Sequence, residues 1–395
     1  MSKPLRNVHI VFWTIFIVLP ILFIFSRSVF LLYTPTRYAT RLHTKSPETP
    51  NIMLHMPQAT TRSESDIMIV GYIRGGSTFL GELMGVRKGS FYLYEPLFSL
   101  SKLGYFKPGY HCNTMDTYCT QAKRIDMHAL GVLKSIYSCD FRLLEDTISL
   151  WSFAKGRGDF NWTKSLKDCN GRLQYCFDKQ IRRCENATSR VTKVVRVTVG
   201  LVGRMLEKYP NLKIVHLMRD PRAVLHSRME IWPSNTKNTL ETARSLCRKM
   251  KEDYMDSKQL LIHHPNRVRT VFYEDLAIEP IKVTKELYKF ANYDFTYEDE
   301  RRIRNMTGSY SIETKANRKW GLFKQNSSET ARKWRLTIPP SVALLTGLGC
   351  SEIYDLARYP ELKDKTDLRN TSIPLRLPMN PKSLLSDYLT HNGHV

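Results

Sequence analysis

The sequence lacks the signatures of several common classes of enzyme and metal-binding protein. No Cys-x-x-Cys pair occurs among its 8 cysteines, and its 11 histidines are not grouped at ligand spacing, which argues against a zinc site. No Asp-x-Asp triplet is present, which argues against a metal-dependent glycosyltransferase. A Gly-Lys-Ser/Thr sequence is also missing, and a P-loop kinase or ATPase needs that lysine on the transferred phosphate. We therefore expect a protein that binds no metal.

Acidic residues are scarce relative to basic ones. The 395-residue chain has 37 Asp and Glu against 60 Lys and Arg, which gives a formal net charge of +23. Although much of this charge is expected on the solvated surface, such a field favours anionic partners. These include the phosphates of a cofactor, an acidic polysaccharide and nucleic acid.

The first part of the chain is predicted to anchor it in a membrane. Residues 10–25 are almost continuously apolar, the pattern of a transmembrane helix that uses flanking residues to complete its span. A cleaved signal peptide is the alternative because Lys3 and Arg6 could form its basic region, but no small-x-small cleavage site follows closely. The predicted organisation is a cytoplasmic tail (1–8), a transmembrane signal anchor (9–29), a stem rich in Thr, Ser and Pro (30–65) and a lumenal domain (66–395).

Glycosylation signals and cysteines indicate that the domain after the anchor is lumenal. All cysteines follow the apolar run, which favours an oxidising compartment. Their state stays open between disulfides and buried thiols, although Cys112 and Cys119 could close a small loop. An anchored lumenal domain excludes nucleic acid as the anionic partner. The Asn-x-Ser/Thr sequons, all on the same side of the anchor, are Asn161, Asn186, Asn305, Asn326 and Asn370.

The domain from residue 66 is predicted to be α/β. Short apolar runs alternate with helical patterns, which predicts a P-loop-like central parallel sheet flanked by helices with right-handed crossovers. Ligands of such sheets bind beyond the carboxyl ends of the strands. The predicted strands are residues 66–72, 90–94, 193–197, 213–217 and 268–273, and the predicted helices include residues 79–86, 202–209, 222–231 and 240–263.

Two of these strands end in turns that are suited to phosphate. The first turn, residues 73–79, can offer backbone amides and hydroxyls to an anion at the start of the next helix, with Arg74 as its cation. The second places Arg219 at the strand end and Ser227 about two turns into the following helix. An Asp-Pro pair after Arg219 is also an ordinary helix start, which is compatible with anion binding. Together the turns predict a nucleotide with two separate phosphate clusters.

The two turns also resemble those of a known family. Residues 72–83 resemble the 5′-phosphosulfate loop of the Golgi carbohydrate sulfotransferases that modify the 6-hydroxyl of galactose, N-acetylgalactosamine and N-acetylglucosamine. Residues 217–228 are similar to the 3′-phosphate motif of that family. The sequence departs from the family at Gly75, where serine is usual, and shows no clear match over residues 101–190. Further matching segments are residues 91–97, 271–276 and 331–335, followed by Cys350.

The resemblance implies a sulfotransferase fold, preceded in this chain by the predicted transmembrane helix. It implies transfer of a sulfuryl group from 3′-phosphoadenosine 5′-phosphosulfate (PAPS) to a sugar hydroxyl, the 6-hydroxyl of one of those sugars in a glycan or proteoglycan. A single-pass Golgi membrane protein with an acidic glycan acceptor and no metal is expected, and a homodimer is left open. The residues implied to bind the donor are Ile73, Arg74, Gly75, Gly76, Ser77, Thr78 and Phe79 at the 5′ end, and Arg219, Asp220, Pro221, Arg222, Ala223, Val224, Leu225, His226 and Ser227 at the 3′ end.

Glu95 is the expected general base, and Arg74 the expected catalytic cation. Related sulfotransferases carry a carboxylate at the place of Glu95, whose alternative role is an ion pair with Arg74 or Arg196. Lys193 and Arg196 are three apart on one predicted strand, so we expect them to point to opposite faces, and one of them could contact the sulfate or an acidic acceptor. The other candidate bases are His111, His216 and Glu274, of which His216 is expected in the core and Glu274 as a helix cap.

Other functions stay as alternatives. A tyrosylprotein sulfotransferase uses a similar loop and base, but residues 93–97 look more like the carbohydrate branch. A Golgi glycosyltransferase shares the anchor, stem and sequons. A lumenal lectin that has lost its donor site is disfavoured because Arg74, Arg219, Ser227 and Glu95 are all present.

Overall fold

The computed structural model describes residues 64–114, 118–141, 173–232, 238–308 and 326–378. The predicted membrane anchor, the stem up to residue 63 and the sequon at Asn161 lie outside these ranges. No helix within them combines the length and the apolar character needed to cross a bilayer. Nearly all the described residues belong to the domain predicted to follow the stem.

Two β-sheets form the framework of the part of this domain that the structure describes. In chain order the strands are β1 (Asp66–Val70), β2 (Ser90–Tyr94), β3 (Gly104–Lys107), β4 (Tyr110–Asn113), β5 (Cys119–Gln121), β6 (Ser189–Val194), β7 (Leu212–Met218) and β8 (Val268–Phe272). The larger sheet has the order β2-β6-β1-β7-β8, and every neighbouring pair is parallel. The smaller sheet, β3-β4-β5, is antiparallel. The parallel sheet confirms the predicted α/β architecture.

The strand β1 lies at the centre of the parallel sheet, and all its residues are buried. Ile67 and Ile69 belong to a hydrophobic cluster with Leu80, whereas Met68 and Val70 belong to another with Leu133. Side chains alternate along a strand, so these clusters occupy opposite faces of the sheet. Helices therefore cover both faces, as a buried parallel sheet requires.

The helices follow the strands in alternation. They are α1 (Ser77–Gly85), α2 (Lys123–Tyr137), α3 (Leu173–Glu185), α4 (Val199–Gly203), α5 (Pro221–Met229), α6 (Thr239–His263), α7 (Tyr273–Ile278), α8 (Pro280–Ala291), α9 (Tyr297–Thr307), α10 (Ser327–Arg332), α11 (Trp334–Thr337), α12 (Pro340–Gly349), α13 (Ser351–Ala357) and α14 (Lys365–Arg369). The helix predicted over residues 202–209 is instead the short α4 followed by turns. It begins earlier because the Thr198 side chain caps it by accepting a hydrogen bond from the Leu201 N–H at 3.3 Å.

The strand β6 also differs from its prediction. It begins at Ser189 and ends at Val194, where its pairing with the neighbouring strands β1 and β2 stops. Arg196 therefore lies beyond the strand, where the alternation of a strand no longer applies. The expectation that Lys193 and Arg196 point to opposite faces is wrong, since both side chains contact Glu95.

Disulfides within the described ranges confirm the expected cysteine chemistry. They join Cys112 to Cys119, Cys139 to Cys184, and Cys247 to Cys350. The first closes the predicted small loop between β4 and β5. The third ties α6 to the junction of α12 and α13, with a sequence separation of 103 residues. Closing so long a loop lowers the entropy of the unfolded chain.

Candidate active site

The predicted site residues lie at the carboxyl ends of neighbouring parallel strands. The loop with Arg74 follows β1, Arg219 follows β7, and Glu95 follows β2. Lys193 lies near the end of β6, which is located between β1 and β2. The sheet therefore brings together segments that are far apart in sequence, at the edge where such sheets bind ligands.

The loop between β1 and α1 has an unusual backbone. Arg74 has a φ of 69° and Gly76 a φ of 88°, both in the left-handed region. The Gly75 N–H donates to the Tyr72 carbonyl at 2.8 Å, which closes the turn. Gly76 is the N-cap of α1 and makes no side-chain cap. The first turn of α1 therefore presents its amides to the loop, the arrangement that favours an anion.

Gly76 is required by its neighbour Tyr273 as well as by its own backbone. A Cβ atom at Gly76 would lie 2.3 Å from Cδ2 of Tyr273. The same ring also contacts a cation, because Cζ of Arg219 lies 4.3 Å from the ring centroid. Tyr273 thus fixes the donor loop and the arginine of the 3′ motif relative to each other. Its position right after β8, within the matching segment 271–276, is the sequence signal that could have identified it.

Hydrogen bonds join the two phosphate turns directly. Nε of Arg74 donates to the Ser227 hydroxyl at 3.0 Å, and Nη1 of Arg219 donates to the Arg74 carbonyl at 3.0 Å. Arg228 supports the same loop, since its Nε donates to the Ile73 carbonyl at 3.1 Å. Burial, and then the charge of Arg219, lower the pKa of Arg74. Two guanidinium groups are therefore held side by side, which favours an anion between them.

The start of α5 is built as an ordinary capped helix. Asp220 is the N-cap, accepts from the Arg222 N–H at 2.9 Å, and is followed by Pro221 in the first turn. Its carboxylate also pairs with Arg222 at 2.8 Å, and both side chains are buried. Burial alone would lower the pKa of Arg222, but Asp220 outweighs it and raises that pKa. Asp220 and Arg222 therefore stabilise the turn, and their charged groups form an ion pair with each other.

The rest of the predicted 3′ motif divides between core and surface. Ala223, Val224 and Leu225 are buried in hydrophobic clusters, so their side chains do not line the turn. His226 is partly exposed and lies 2.7 Å from the Thr337 hydroxyl. At the 5′ end, Ser77 is buried and Phe79 packs against the core, whereas Thr78 faces Tyr94 with 3.4 Å between their hydroxyl oxygens.

Glu95 is held by two cations. Its backbone has a φ of 43°, again left-handed. Nζ of Lys193 contacts Oε1 and Nη1 of Arg196 contacts Oε2. Burial would raise the pKa of Glu95, but Lys193 and Arg196 outweigh it and hold this pKa at about 2. The carboxylate is therefore ionised at neutral pH, as a proton acceptor must be.

The alternative bases occupy other environments. His216 is fully buried between the Tyr72 hydroxyl (2.8 Å) and the Ser257 hydroxyl (2.9 Å), and burial lowers its pKa to about 4. This confirms it as a core histidine. His111 lies on β4 with its Nε2 2.7 Å from the Ser101 hydroxyl.

Glu274 connects two loops under the site. Its Oε1 accepts from the Asp220 N–H at 3.0 Å, and its Oε2 accepts from the Tyr359 hydroxyl at 3.4 Å. Burial raises the pKa of Glu274 to about 7, since the hydrogen bond from Asp220 only partly opposes it. Glu274 thus ties together the starts of α5 and α7. The prediction that it caps a helix is wrong, because Phe272 is the N-cap of α7 and no side chain caps this helix.

Comparisons with known proteins identify the family of this chain. The family model described as "Sulfotransferase domain" matches residues 64–344. Carbohydrate sulfotransferase 3 of Tetronarce californica is 28% identical over 358 residues, covering 80% of this chain and 77% of that protein. Carbohydrate sulfotransferase 1 of Homo sapiens is 26% identical over 356 residues, covering 79% of this chain and 83% of that protein.

Among solved structures, mouse sulfotransferase SULT7A1 complexed with PAP has a TM-score of 0.36 and 12% identity, covering 83% of this chain and 89% of that chain. The family model extends from β1 into the first half of α12, so the matched residues include both phosphate turns and Glu95. The chain belongs to the sulfotransferase family, and its resemblance to the carbohydrate sulfotransferases is confirmed.

Proposed function

We propose that this sulfotransferase moves a sulfuryl group from PAPS to the 6-hydroxyl of N-acetylglucosamine, galactose or N-acetylgalactosamine in an acidic glycan or proteoglycan. The observation that carries the proposal is the joining of the two phosphate turns beside a buried, ionised carboxylate. Arg219 donates a hydrogen bond to the carbonyl of Arg74, which follows β1. Glu95 follows β2, and β2 is separated from β1 by β6 in the same sheet.

The residues present fit a donor with phosphates at both ends. The first turn of α1 and the guanidinium of Arg74 would hold the 5′-phosphosulfate, because amides and a cation both favour an anion there. Arg219 and Ser227 would hold the 3′-phosphate through a guanidinium and a hydroxyl. The hydrogen bonds already formed between the turns set the two subsites at a fixed separation. Catalysis would then come largely from positioning and from charge stabilisation.

Glu95 supplies the base that an alcohol acceptor needs. The acceptor oxygen forms a bond to sulfur, the bond from sulfur to the bridging phosphate oxygen breaks with its electron pair leaving on the phosphate, and the hydroxyl proton passes to Glu95. The carboxylate is ionised before the reaction because Lys193 and Arg196 stabilise its charge. Arg74 would stabilise the charge that develops on the leaving phosphate.

The same proposal includes a lumenal location in the Golgi, with an N-terminal anchor. The described sequon residues Asn186, Asn305, Asn326 and Asn370 are all exposed, so each can carry a glycan without entering the core. Asn326 also caps α10 through its side-chain oxygen, which accepts from the Glu329 N–H at 3.1 Å. Attachment of a glycan uses the amide nitrogen and leaves that oxygen available. Endoglycosidase treatment of the expressed chain is expected to increase its gel mobility, and an unchanged mobility beside responding controls would contradict the lumenal assignment.

An acceptor screen tests the reaction. Full-length protein with labelled PAPS is offered chondroitin, keratan-type glycans and an acidic tyrosine peptide, and we expect label in a glycan at a 6-hydroxyl. Label in the peptide alone would show a tyrosylprotein sulfotransferase instead. Glu95→Gln is expected to lower kcat by roughly 10²- to 10⁴-fold with nearly unchanged nucleotide binding, because it removes only the proton acceptor. Full activity of that variant would transfer the role to another group, with His111 the first to test.

A further inference from the structure

We propose that one end of the small sheet β3-β4-β5 binds the acidic acceptor glycan through the exposed side chains of Lys102 and Tyr118. We call it the acceptor end and define it as residues 101–104, 113, 114 and 118. The ammonium group of Lys102 would pair with a carboxylate or a sulfate of the glycan, and the ring of Tyr118 would stack on a sugar ring. This rests on the proposed function, because it assigns the recognition of the acceptor in that same reaction.

The small sheet is attached at the edge of the parallel sheet. The Phe106 N–H donates to the Arg196 carbonyl at 2.8 Å, and the Thr198 N–H donates to the Phe106 carbonyl at 2.9 Å. Because β6 ends at Val194, these contacts place β3 against the chain that leaves the carboxyl end of this strand. The small sheet therefore borders the edge where a parallel sheet binds its ligands.

The acceptor end contacts the groups that support both the base and the donor loop. Arg196, which pairs with Glu95, donates from Nη2 to the Lys102 carbonyl at 3.0 Å. Arg228 donates from Nη1 to the Thr114 carbonyl at 3.4 Å, and from Nε to a carbonyl of the donor loop at 3.1 Å. In the proposed reaction the acceptor hydroxyl must lie between the base and the donor. A glycan placed for transfer therefore lies beside the acceptor end.

The pairing of the strands brings Lys102 and Tyr118 to the same end of the small sheet. Gly104 of β3 pairs with Asn113 of β4, and Lys102 comes shortly before Gly104. The Asn113 N–H donates to the Tyr118 carbonyl at 3.2 Å. The disulfide between β4 and β5 includes the residue after Tyr118, so it restricts the positions that this residue can take. The cation and the aromatic residue are thus held on one small, cross-linked framework.

The exposed groups at this end suit an acidic glycan. Tyr118 is 69% exposed, so its ring offers a flat apolar face that the apolar face of a sugar can cover. Lys102 is exposed as well, and an ammonium group pairs with carboxylates and sulfates. The net charge of +23 attracts a polyanion over a longer range. By contrast, Lys107 at the other end of β3 already pairs with Glu252 at 3.3 Å.

Substitution of Lys102 in the full-length protein tests the charge contact. The acceptors are chondroitin, which carries carboxylates, sulfated keratan, which carries sulfates, and desulfated keratan, which is neutral. Lys102→Glu is expected to raise KM for the better acidic acceptor roughly tenfold, because attraction becomes repulsion. KM for desulfated keratan and the affinity for 3′-phosphoadenosine 5′-phosphate (PAP) should change by less than about twofold. An equal rise in KM for the neutral glycan would overturn the charge contact.

Substitution of Tyr118 tests the stacking contact. Tyr118→Ala is expected to raise KM for charged and neutral glycans alike by roughly 5- to 20-fold, because the ring is lost whichever charge the glycan carries. Tyr118→Phe keeps the ring and should restore the KM of wild type. A wild-type KM in the alanine variant would overturn the assignment, as would a phenylalanine variant as impaired as alanine.

Matched controls lie at the opposite end of the same sheet. Lys107 pairs across the strands with Tyr110, which is 43% exposed. Lys107→Glu changes the net charge as much as Lys102→Glu does. Tyr110→Ala removes an exposed ring as Tyr118→Ala does. Both controls should keep KM for every glycan within about twofold of wild type.

Failure of the acceptor end can be told apart from failure of the reaction. If wild-type protein transfers no sulfuryl group to any glycan, the proposed function itself fails. If wild type is active and the variants at the two ends of the small sheet behave alike, only the acceptor end fails. A higher kcat/KM for desulfated keratan than for both acidic glycans would also overturn it, because no anion would then be recognised.

Discussion

Gly76→Ala should damage both the stability of the domain and its affinity for nucleotide. A Cβ at this position meets Cδ2 of Tyr273 at 2.3 Å and Cε2 at 2.6 Å, while the backbone φ is 88°. A left-handed alanine costs about 1–2 kcal/mol. Forcing the ring aside is overpacking, which costs about 1–3 kcal/mol more. We therefore expect the free energy of unfolding to fall by about 2–5 kcal/mol.

The same ring carries Arg219, so the damage should extend to the donor site. Arg219 lies 4.3 Å from the centroid of Tyr273, and it donates to the carbonyl of Arg74. A displaced ring would move this guanidinium away from the position in which we propose that it binds a 3′-phosphate. A lost charge-assisted hydrogen bond of about 1.5–3 kcal/mol corresponds to roughly 10- to 100-fold weaker binding of PAP.

Gly109→Ala is the matched control, because it separates backbone strain from steric overlap. Gly109 has a φ of 77°, but a Cβ there has no neighbouring atom within 4 Å. This variant should lose only the strain of about 1–2 kcal/mol and bind PAP like wild type. Urea unfolding with intact disulfides and calorimetric titration of PAP supply the two measurements. Equal losses in the two alanine variants would refute the role assigned to Tyr273.

Two further substitutions address the electrostatics around the donor site. Arg219→Ala should weaken PAP binding by roughly 10- to 100-fold, through loss of a charge-assisted bond, and unchanged affinity in a titration would remove Arg219 from the site. Burial raises the pKa of Glu274 to about 7, so the folded protein holds this proton more tightly than the unfolded chain does. The folded state is therefore stabilised in full below about pH 4.5, and this stabilisation is lost as the pH rises through 7. Glu274→Gln should therefore flatten the dependence of unfolding free energy on pH between 5 and 8, and an unaltered slope would show that Glu274 is not the group responsible.

The sequence predicts the parallel sheet well because its strands are marked by local composition. The run at β1 is apolar throughout, and it is buried on both faces. The phosphate turns are also local features, since a glycine at φ 88° and an Asp-Pro helix start are set by neighbouring residues. These segments can be predicted from their own residues, without knowledge of the distant segments that they contact.

The missed features depend on contacts between distant segments. The strands β3, β4 and β5 are only 3 to 4 residues long, too short to show a clear alternation. Likewise, the pairing of Lys193 and Arg196 with Glu95 follows from the end of β6 at Val194. A boundary error of a few residues thus changed the predicted direction of a site residue. The burial of Val224 and its neighbours also depends on the packing of α5 against the C-terminal helices, which no local pattern reveals.

The left-handed backbone at Arg74 and Glu95 has a consequence for engineering this domain. Neither is a glycine, although both have positive φ, at 69° and 43°, and such a conformation costs a non-glycine residue about 1–3 kcal/mol. Glycine in place of Arg74 would relieve that strain while removing a charge that the proposed reaction needs, whereas glycine in place of Glu95 would leave the buried Lys193 and Arg196 without their counter-ion. A selection for thermal stability alone is therefore expected to enrich inactive variants at position 74. Screens for a more thermostable enzyme should therefore measure sulfuryl transfer in every round.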